Sequence, residues 1–155
     1  MKSLQVPISI GLFVLSCVIG IKITFADTQV KPPDPRVRTL IAFMQKHKFA
    51  KPYYAKEYIE AADGSHIDYR LLVAISFRES SGCKRYLYAN CWGYGSSSSL
   101  MHFASIPEGI DYITDKLGTD SKYANKSDLE IAKTYGPHGN PQYKFDIQNY
   151  INEIQ

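Results

Sequence analysis

Glu79 is the acidic residue whose place in the sequence best suits acid–base chemistry. It follows an apolar stretch that begins at Tyr69, so it falls in the last turn of a predicted helix. The negative end of the helix dipole and the apolar surroundings both disfavour an ionised carboxylate, and a general acid must hold its proton. The alternative is a surface ion pair, for which the nearby cations are Arg78, Lys84 and Arg85.

The segment Asn90-Cys91-Trp92-Gly93-Tyr94-Gly95 has the composition of a sugar-binding loop. It places the only tryptophan of the chain close to a tyrosine, with glycines and an asparagine nearby. Aromatic rings stack on the C–H faces of sugars, and amide groups bind sugar hydroxyls. Glycine lets a ligand approach the main chain closely. The alternative for Trp92 is a purely structural place in the core.

The chain has three cysteines, of which Cys17 lies in the amino-terminal segment. Cys83 and Cys91 are eight residues apart, and in an oxidising compartment they are expected to form a disulfide that closes a short loop. In a reducing compartment both would be free thiols. No Cys-x-x-Cys or His-x-x-x-His spacing supports a zinc site with His102 or His138, so no metal is expected.

Helical periodicity predicts an all-α fold of about six helices, and no alternating pattern predicts a strand. The most apolar helix, residues 68–80, is hydrophobic nearly all round and is expected to be central and buried. Residues 82–104 lack a sustained period and predict one long irregular loop that contains the aromatic residues. Helices are predicted to start near Arg36, Pro52, Asp68, Ser105, Ser127 and Asn140.

The first 26 residues have the pattern of an export segment. Lys2 is followed by an apolar run from Val6 to Ile21, and small residues end the segment at Ala26. A cleaved secretory signal and a retained membrane anchor both fit residues 1–26, and both place the rest outside the cytoplasm. The three prolines of residues 27–35 predict a linker, and residues 36–155 then form one domain.

Charge argues against a nucleic-acid partner. Removal of Lys2 and Lys22 lowers the formal net charge from +3 to +1, so the exported domain is nearly neutral. A basic excess between residues 31 and 56 is typical of a solvated helix face, and the alternative is a contact with acidic wall polymers or lipid headgroups. Near-neutrality gives no reason to expect more than a monomer.

Several motifs together resemble the lysozyme-like superfamily, and most closely the bacterial endo-β-N-acetylglucosaminidase and transglycosylase-like domains that cleave peptidoglycan. The resemblance covers residues 69–155, and Cys91 departs from it because such motifs often have proline there. The motifs are Arg78-Glu79-Ser80, Asn90-Cys91-Trp92-Gly93-Tyr94-Gly95, Phe103 followed by Ser105-x-x-Glu108-x-Ile110, and Ile131-Ala132-x-x-Tyr135-Gly136-Pro137.

The resemblance implies a small lysozyme-like catalytic domain in which Glu79 protonates the glycosidic oxygen. It further implies that Tyr135 contacts the N-acetyl group or the oxocarbenium-like sugar, and that no cofactor is needed. The residues expected to bind the glycan are Asn90, Trp92, Tyr94 and Phe103.

No second carboxylate is evident, although most glycoside hydrolases use two. The position of Glu108 in a capping box gives it a structural role, and Asp111 and Asp115 have the spacing of a solvated helix face. A single acid fits a lytic transglycosylase, in which a hydroxyl of the sugar attacks. It also fits assistance by the acetamido group of the substrate.

Two further functions compete with glycan cleavage. A non-catalytic cell-wall glycan-binding module would use the same cleft and give Glu79 a structural place. A cell-wall cysteine peptidase or amidase would use Cys91 as nucleophile and His102 or His138 as base. The peptidase requires a free thiol at Cys91, so a disulfide would remove it.

Overall fold

The computed structural model describes residues 32–96, 98–137 and 140–155, and most of this part of the chain is helical. Its α-helices are α1 (Pro35–Lys46), α2 (Ala55–Ser65), α3 (Tyr69–Ser80), α4 (Ile106–Thr119), α5 (Asp128–Tyr135) and α6 (Gln142–Glu153). A 3-10 turn spans Pro52–Tyr54, and the strands β1 (Gly95–Ser96) and β2 (Ser99–Leu100) pair antiparallel. The all-α class predicted from periodicity is confirmed. The strands escaped prediction because two residues cannot show an alternating pattern.

Helix α3 lies at the centre of the fold, as its apolar composition predicts. The side chain of Asp68 caps its first turn by accepting a hydrogen bond from the Arg70 N–H at 2.8 Å. Helices α2 and α6 both pack against α3, and every side chain from Leu71 to Ser76 is buried. Burial of each large apolar side chain contributes about 1.5–3 kcal/mol, so α3 is held firmly in place.

Helices α4 and α5 start where the two capping patterns predict. The Ser105 hydroxyl accepts a hydrogen bond from the Glu108 N–H at 3.2 Å, and Glu108 Oε2 accepts one from the Ala104 N–H at 2.7 Å. Ser127 and Glu130 make the reciprocal pair that begins α5. Glu108 therefore has the capping place that its sequence position suggests.

The amino-terminal predictions lie largely outside the described residues. Residues 1–26 and the linker up to residue 31 are not among them, so the signal or anchor stays a prediction. Helix α1 begins at Pro35, one residue before the predicted domain start, because the Asp34 side chain accepts a hydrogen bond from the Arg36 N–H at 2.9 Å. No helix of the described ranges is long and apolar enough to cross a membrane.

Candidate active site

The irregular segment after α3 folds back against the end of that helix. Cys83 and Cys91 form a disulfide, with their Cα atoms 4.9 Å apart, and this ties the aromatic loop to the last turn of α3. Glu79 occupies that turn and its side chain is exposed. The carboxyl group therefore lies at the surface beside the loop and not inside the apolar helix packing.

Asn90 organises the aromatic loop through hydrogen bonds to its main chain. Its Oδ1 accepts hydrogen bonds from the N–H groups of Trp92 (3.3 Å) and Tyr94 (3.0 Å). Its Nδ2 donates to the carbonyl oxygens of Tyr94 (2.7 Å) and Met101 (2.9 Å). Asn90 is 4% exposed, and these bonds use both of its donors and its acceptor oxygen. Asn90 therefore shapes the loop, and it also lines a cavity of about 440 Å³ that contains Glu79, so its expected sugar contact stays a prediction.

Trp92 and Phe103 are also placed in the core, contrary to their expected contact with sugar. The Trp92 side chain is 0% exposed, and its ring meets those of Tyr58 and Phe103 edge-on at centroid distances of 6.2 and 6.4 Å. A Cβ at Gly109 would stand 2.5 Å from Trp92 Cζ3, so α4 closes directly over the indole. Neither ring presents a face to solvent, and both support the loop from behind.

Gly93 is the part of the loop that meets Glu79. It is exposed, its φ is +63°, and a Cβ placed on it would stand 2.9 Å from Glu79 Oε2. The carboxylate therefore rests against bare main chain, and a side chain at this position would compete with it for space. The glycine is required here for both its conformation and its size.

We expect Gly93→Ala to lower activity through this contact. The left-handed conformation costs an alanine about 1–2 kcal/mol, and the added methyl group pushes Glu79 away from its observed position. Thermal denaturation measures the first effect, and the rate of the glycan cleavage that the motif resemblance implies measures the second. Gly64→Ala is the matched control, because nothing lies within 4 Å of a Cβ placed at Gly64. Equal cleavage rates for the two variants would contradict this assignment.

Two tyrosine hydroxyls lie close to Glu79. The Tyr135 hydroxyl donates a hydrogen bond to the Trp92 carbonyl oxygen at 2.8 Å, which joins α5 to the loop. Burial raises the pKa of Tyr135, and the neighbouring Tyr143 and Glu79 raise it further. The pKa of Tyr143 is likewise raised by burial first and by Glu79 next. Both tyrosines therefore stay neutral and can act only as hydrogen-bonding groups near the acid.

Tyr143 is a site residue that the sequence did not reveal. Its position on α6 predicts a core side chain, and it is indeed buried. Its hydroxyl oxygen has no hydrogen-bond partner among the described residues, yet it is near enough for the Glu79 charge to act on it. Gly136 sets its place, because a Cβ there would stand 2.5 Å from the Tyr143 ring.

Two cavities adjoin Glu79, and we call them together the groove. A cavity of about 440 Å³ is lined by Glu79, Gly93 and Leu100 together with Tyr86 and Leu87. A cavity of about 690 Å³ shares the first three residues and continues along Gly95, Ser96, Lys122, Thr134, Tyr135, Gly136 and Pro137. Both volumes suit a ligand of several rings. Glu79 therefore borders both cavities, which have Gly93 and Leu100 in common as well.

A third cavity, of about 300 Å³, places Tyr94 on the same face. It is lined by Gly93, Tyr94 and Tyr135, with Asp120, Lys122 and Tyr123 alongside. Tyr94 is half-buried and its ring centroid lies 6.1 Å from that of Tyr135. Of the expected site residues, the structure thus brings Glu79, Tyr94 and Tyr135 to one surface.

No second carboxylate lines the two cavities that contain Glu79 among the described residues. Asp111 and Asp115 are exposed on α4, as expected for a solvated helix face. Asp120 borders only the 300 Å³ cavity beside Tyr94. In the described ranges no group of His, Cys, Asp and Glu side chains could hold a metal ion.

The disulfide at Cys91 argues against the cysteine peptidase alternative. This residue is 0% exposed and bonded to Cys83, so it has no free thiol to act as nucleophile. His102 stacks on the ring of Tyr88 at a centroid distance of 3.5 Å, and His138 lies outside the described residues. The structure therefore offers no cysteine nucleophile at this site.

No protein-family model matches the chain, and no curated protein sequence matches it. The chemistry of the site follows from its own groups. Glu79 can donate and accept a proton, and the neutral hydroxyl groups of Tyr135 and Tyr143 lie beside it. The exposed main chain of Gly93 forms the floor beside the acid. A carboxyl group in such a place suits general acid–base chemistry.

Proposed function

We propose that the protein is a lysozyme-like enzyme that cleaves peptidoglycan or a related N-acetylglucosamine-containing polymer. One observation carries the proposal: the exposed Glu79 carboxylate lines two neighbouring cavities, of about 440 and 690 Å³, which share Glu79, Gly93 and Leu100. An exposed acid that borders two cavities suits a substrate with groups on both sides of the bond to be cut. The resemblance of the motifs around Glu79, Gly93 and Tyr135 to endo-β-N-acetylglucosaminidases and lytic transglycosylases supports the same activity.

In the proposed reaction, Glu79 gives its proton to the glycosidic oxygen as the bond to the anomeric carbon breaks. The departing sugar leaves as an alcohol, and positive charge develops on the ring that stays bound. No second carboxylate lines the two cavities among the described residues, so the new bond to the anomeric carbon comes from a hydroxyl or the acetamido oxygen of the substrate. In the acetamido route, water then opens the cyclic intermediate and gives its proton to Glu79, which completes a hydrolysis. Attack by a hydroxyl returns its proton to Glu79 and gives a lytic transglycosylase.

The tyrosines beside Glu79 take the supporting roles. Tyr135 would contact the N-acetyl group or the charged sugar, and the buried Tyr143 hydroxyl has Glu79 within its reach. Tyr94 and the main chain of Gly93 would form the sugar-facing wall. Trp92 and Phe103 would act indirectly, by holding that wall in place from the core.

The proposed setting is outside the cytoplasm, as a secreted, periplasmic or cell-surface protein. The disulfide between Cys83 and Cys91 supports an oxidising compartment, because thiols are kept reduced in most cytosols. The export pattern of residues 1–26, as a cleaved signal or a membrane tether, supports the same location. The proposed working form is a monomer bound to a glycan strand.

Digestion of purified peptidoglycan tests the proposal directly. We expect soluble fragments, and mass spectrometry of their ends distinguishes the reactions, because hydrolysis leaves reducing ends and transglycosylation leaves anhydro ends. The sugar at each new end identifies the linkage that is cut. A protein that sediments with peptidoglycan but releases no fragment contradicts the enzyme proposal.

That outcome would favour a non-catalytic glycan-binding module, the second candidate. The specific observation in its favour is that no described residue places a second carboxylate in the two cavities that contain Glu79. Glu79 would then contribute to binding and not to cleavage. Exchange of Glu79 for glutamine would change the affinity for peptidoglycan and would leave no cleavage to lose.

A further inference from the structure

An exposed aromatic patch lies at one end of the groove. Seven large hydrophobic side chains are exposed in the described part of the chain, and four of them belong to two short segments. Tyr53, on the 3-10 turn, is 61% exposed, and Tyr86, Leu87 and Tyr88 follow one another in the loop closed by the disulfide. Such clustering on a small domain marks a binding surface.

Two contacts hold these segments side by side. The Ala50 N–H donates a hydrogen bond to the Gly82 carbonyl oxygen at 2.9 Å. The Phe49 ring lies directly beneath Gly82, since a Cβ there would stand 2.4 Å from Phe49 Cγ. The segment that carries Tyr53 is therefore fixed against the loop that carries Tyr86.

Lys51 joins the two aromatic segments. Its ammonium nitrogen lies 5.8 Å from the centroid of the Tyr53 ring. Its pKa is raised, first by a polar contact with the Tyr53 hydroxyl and also by the nearby Tyr86. Lys51 thus lies over the Tyr53 ring, and the hydrogen bond from the Ala50 N–H to the Gly82 carbonyl oxygen holds its segment beside the loop that carries Tyr86.

The patch is continuous with the groove that contains Glu79. Tyr86 and Leu87 belong to the patch and also line the 440 Å³ cavity beside the acid. Arg85 lines the same cavity, so a cation stands at this end too. A chain that leaves the cavity past Tyr86 would therefore meet Lys51 and Tyr53 next.

The chemistry of the patch fits a sugar strand better than a lipid surface. Tyrosine offers a flat face for the C–H side of a sugar ring and a hydroxyl for its polar groups. A membrane-binding surface relies on a broad aliphatic and aromatic face, and here Leu87 is the one exposed side chain of the patch without a polar atom. Lysine and arginine add donors for sugar oxygens and carboxylates.

We propose that Tyr53 and Lys51 form an additional sugar subsite, reached past Tyr86, which holds a long glycan strand beyond the end of the groove. The inference rests on the glycan-cleaving function proposed above. Its consequence is a preference for long strands, because a short oligosaccharide fills the groove without reaching Tyr53.

The test uses the double variant Lys51→Ala/Tyr53→Ala, neither residue of which lines the cavities around Glu79. We expect its KM for long peptidoglycan strands to rise about tenfold, the combined effect of one aromatic contact and one charged contact. Its kcat, and its kcat/KM for a short oligosaccharide, should match those of the parent. Phe145→Ala is the matched control, because Phe145 is an exposed aromatic residue on α6 that lines neither cavity.

Binding to an inactive protein separates this inference from the proposed function. Calorimetry compares Glu79→Gln with the triple variant Glu79→Gln/Lys51→Ala/Tyr53→Ala. The triple variant should bind long glycan fragments more weakly than Glu79→Gln does, and the two proteins should bind short fragments equally well. Unchanged affinity for long fragments overturns the subsite, even if the parent protein cleaves peptidoglycan. A parent that neither cleaves nor binds any fragment overturns the proposed function instead. Loss of binding to anionic phospholipid vesicles, with glycan affinity unchanged, would make the patch a lipid surface and also overturn the subsite.

Discussion

Glu79→Gln is expected to slow the release of peptidoglycan fragments by about 10²–10⁴-fold, the usual contribution of a general acid. Glutamine has nearly the same shape as glutamate but has no acidic proton to give to the departing oxygen. Because Glu79 is exposed and makes no ion pair within the described residues, its exchange should leave the melting temperature close to that of the parent. Fragment release by mass spectrometry and thermal denaturation measure the two effects separately.

Two other glutamates provide matched controls. Glu60 pairs with Lys56 on the exposed side of α2 at 3.3 Å and lines neither cavity beside Glu79. Glu108 caps α4 through its bond with the Ala104 N–H, a bond that the amide oxygen of glutamine can also accept. Glu60→Gln and Glu108→Gln should both cleave at about the rate of the parent. Full activity of Glu79→Gln would remove Glu79 from the reaction.

Removal of the disulfide is expected to have the second large effect. Replacement of Cys83 and Cys91 by serine releases the closed loop in the unfolded chain and should lower the free energy of unfolding by about 2–4 kcal/mol. For a domain of this size the loss corresponds to a fall in melting temperature on the order of 10 °C. Cleavage should fall as well, because Gly93 follows Cys91 closely and forms the floor beside Glu79.

Reductant gives an independent measurement of the same effect. A thiol reductant should lower the melting temperature of the parent towards that of the Cys83→Ser/Cys91→Ser variant and should leave the variant unchanged. The variant in reductant is therefore the control for general effects of the reagent. A parent whose melting temperature and activity are insensitive to full reduction would show that the disulfide does not hold the loop.

The sequence predicts the helices well because their signals are local. Capping boxes at Ser105 and Ser127 and the Asp68 cap mark helix starts, and the continuous apolar composition of residues 69–77 marks the central helix. The position of Glu79 in the last turn of that helix follows directly. Only the resemblance led us to expect Glu79 near Tyr135, because the two residues lie on helices that the whole irregular segment separates in the sequence.

The sequence could not predict which aromatic residues face the groove. Residues 90–95 have no period, so nothing local distinguishes the buried Trp92 from the half-buried Tyr94. The roles of the two side chains are decided by α4, which brings Gly109 against the indole. Tyr143 shows the reverse case, because its helical spacing correctly predicts burial but cannot show that its hydroxyl would lie near Glu79.

The hydrogen bonds of Asn90 set the path of the loop without depending on the side chains of the residues that they join. All four of its partners are main-chain groups, which every residue type other than proline possesses. Side chains at Tyr94 and Met101 can therefore be exchanged without removing a bond that sets the path of the loop. Substrate preference can thus diversify through residues on this wall while Gly93 and Glu79 keep their spacing, which makes the loop a suitable place for directed evolution.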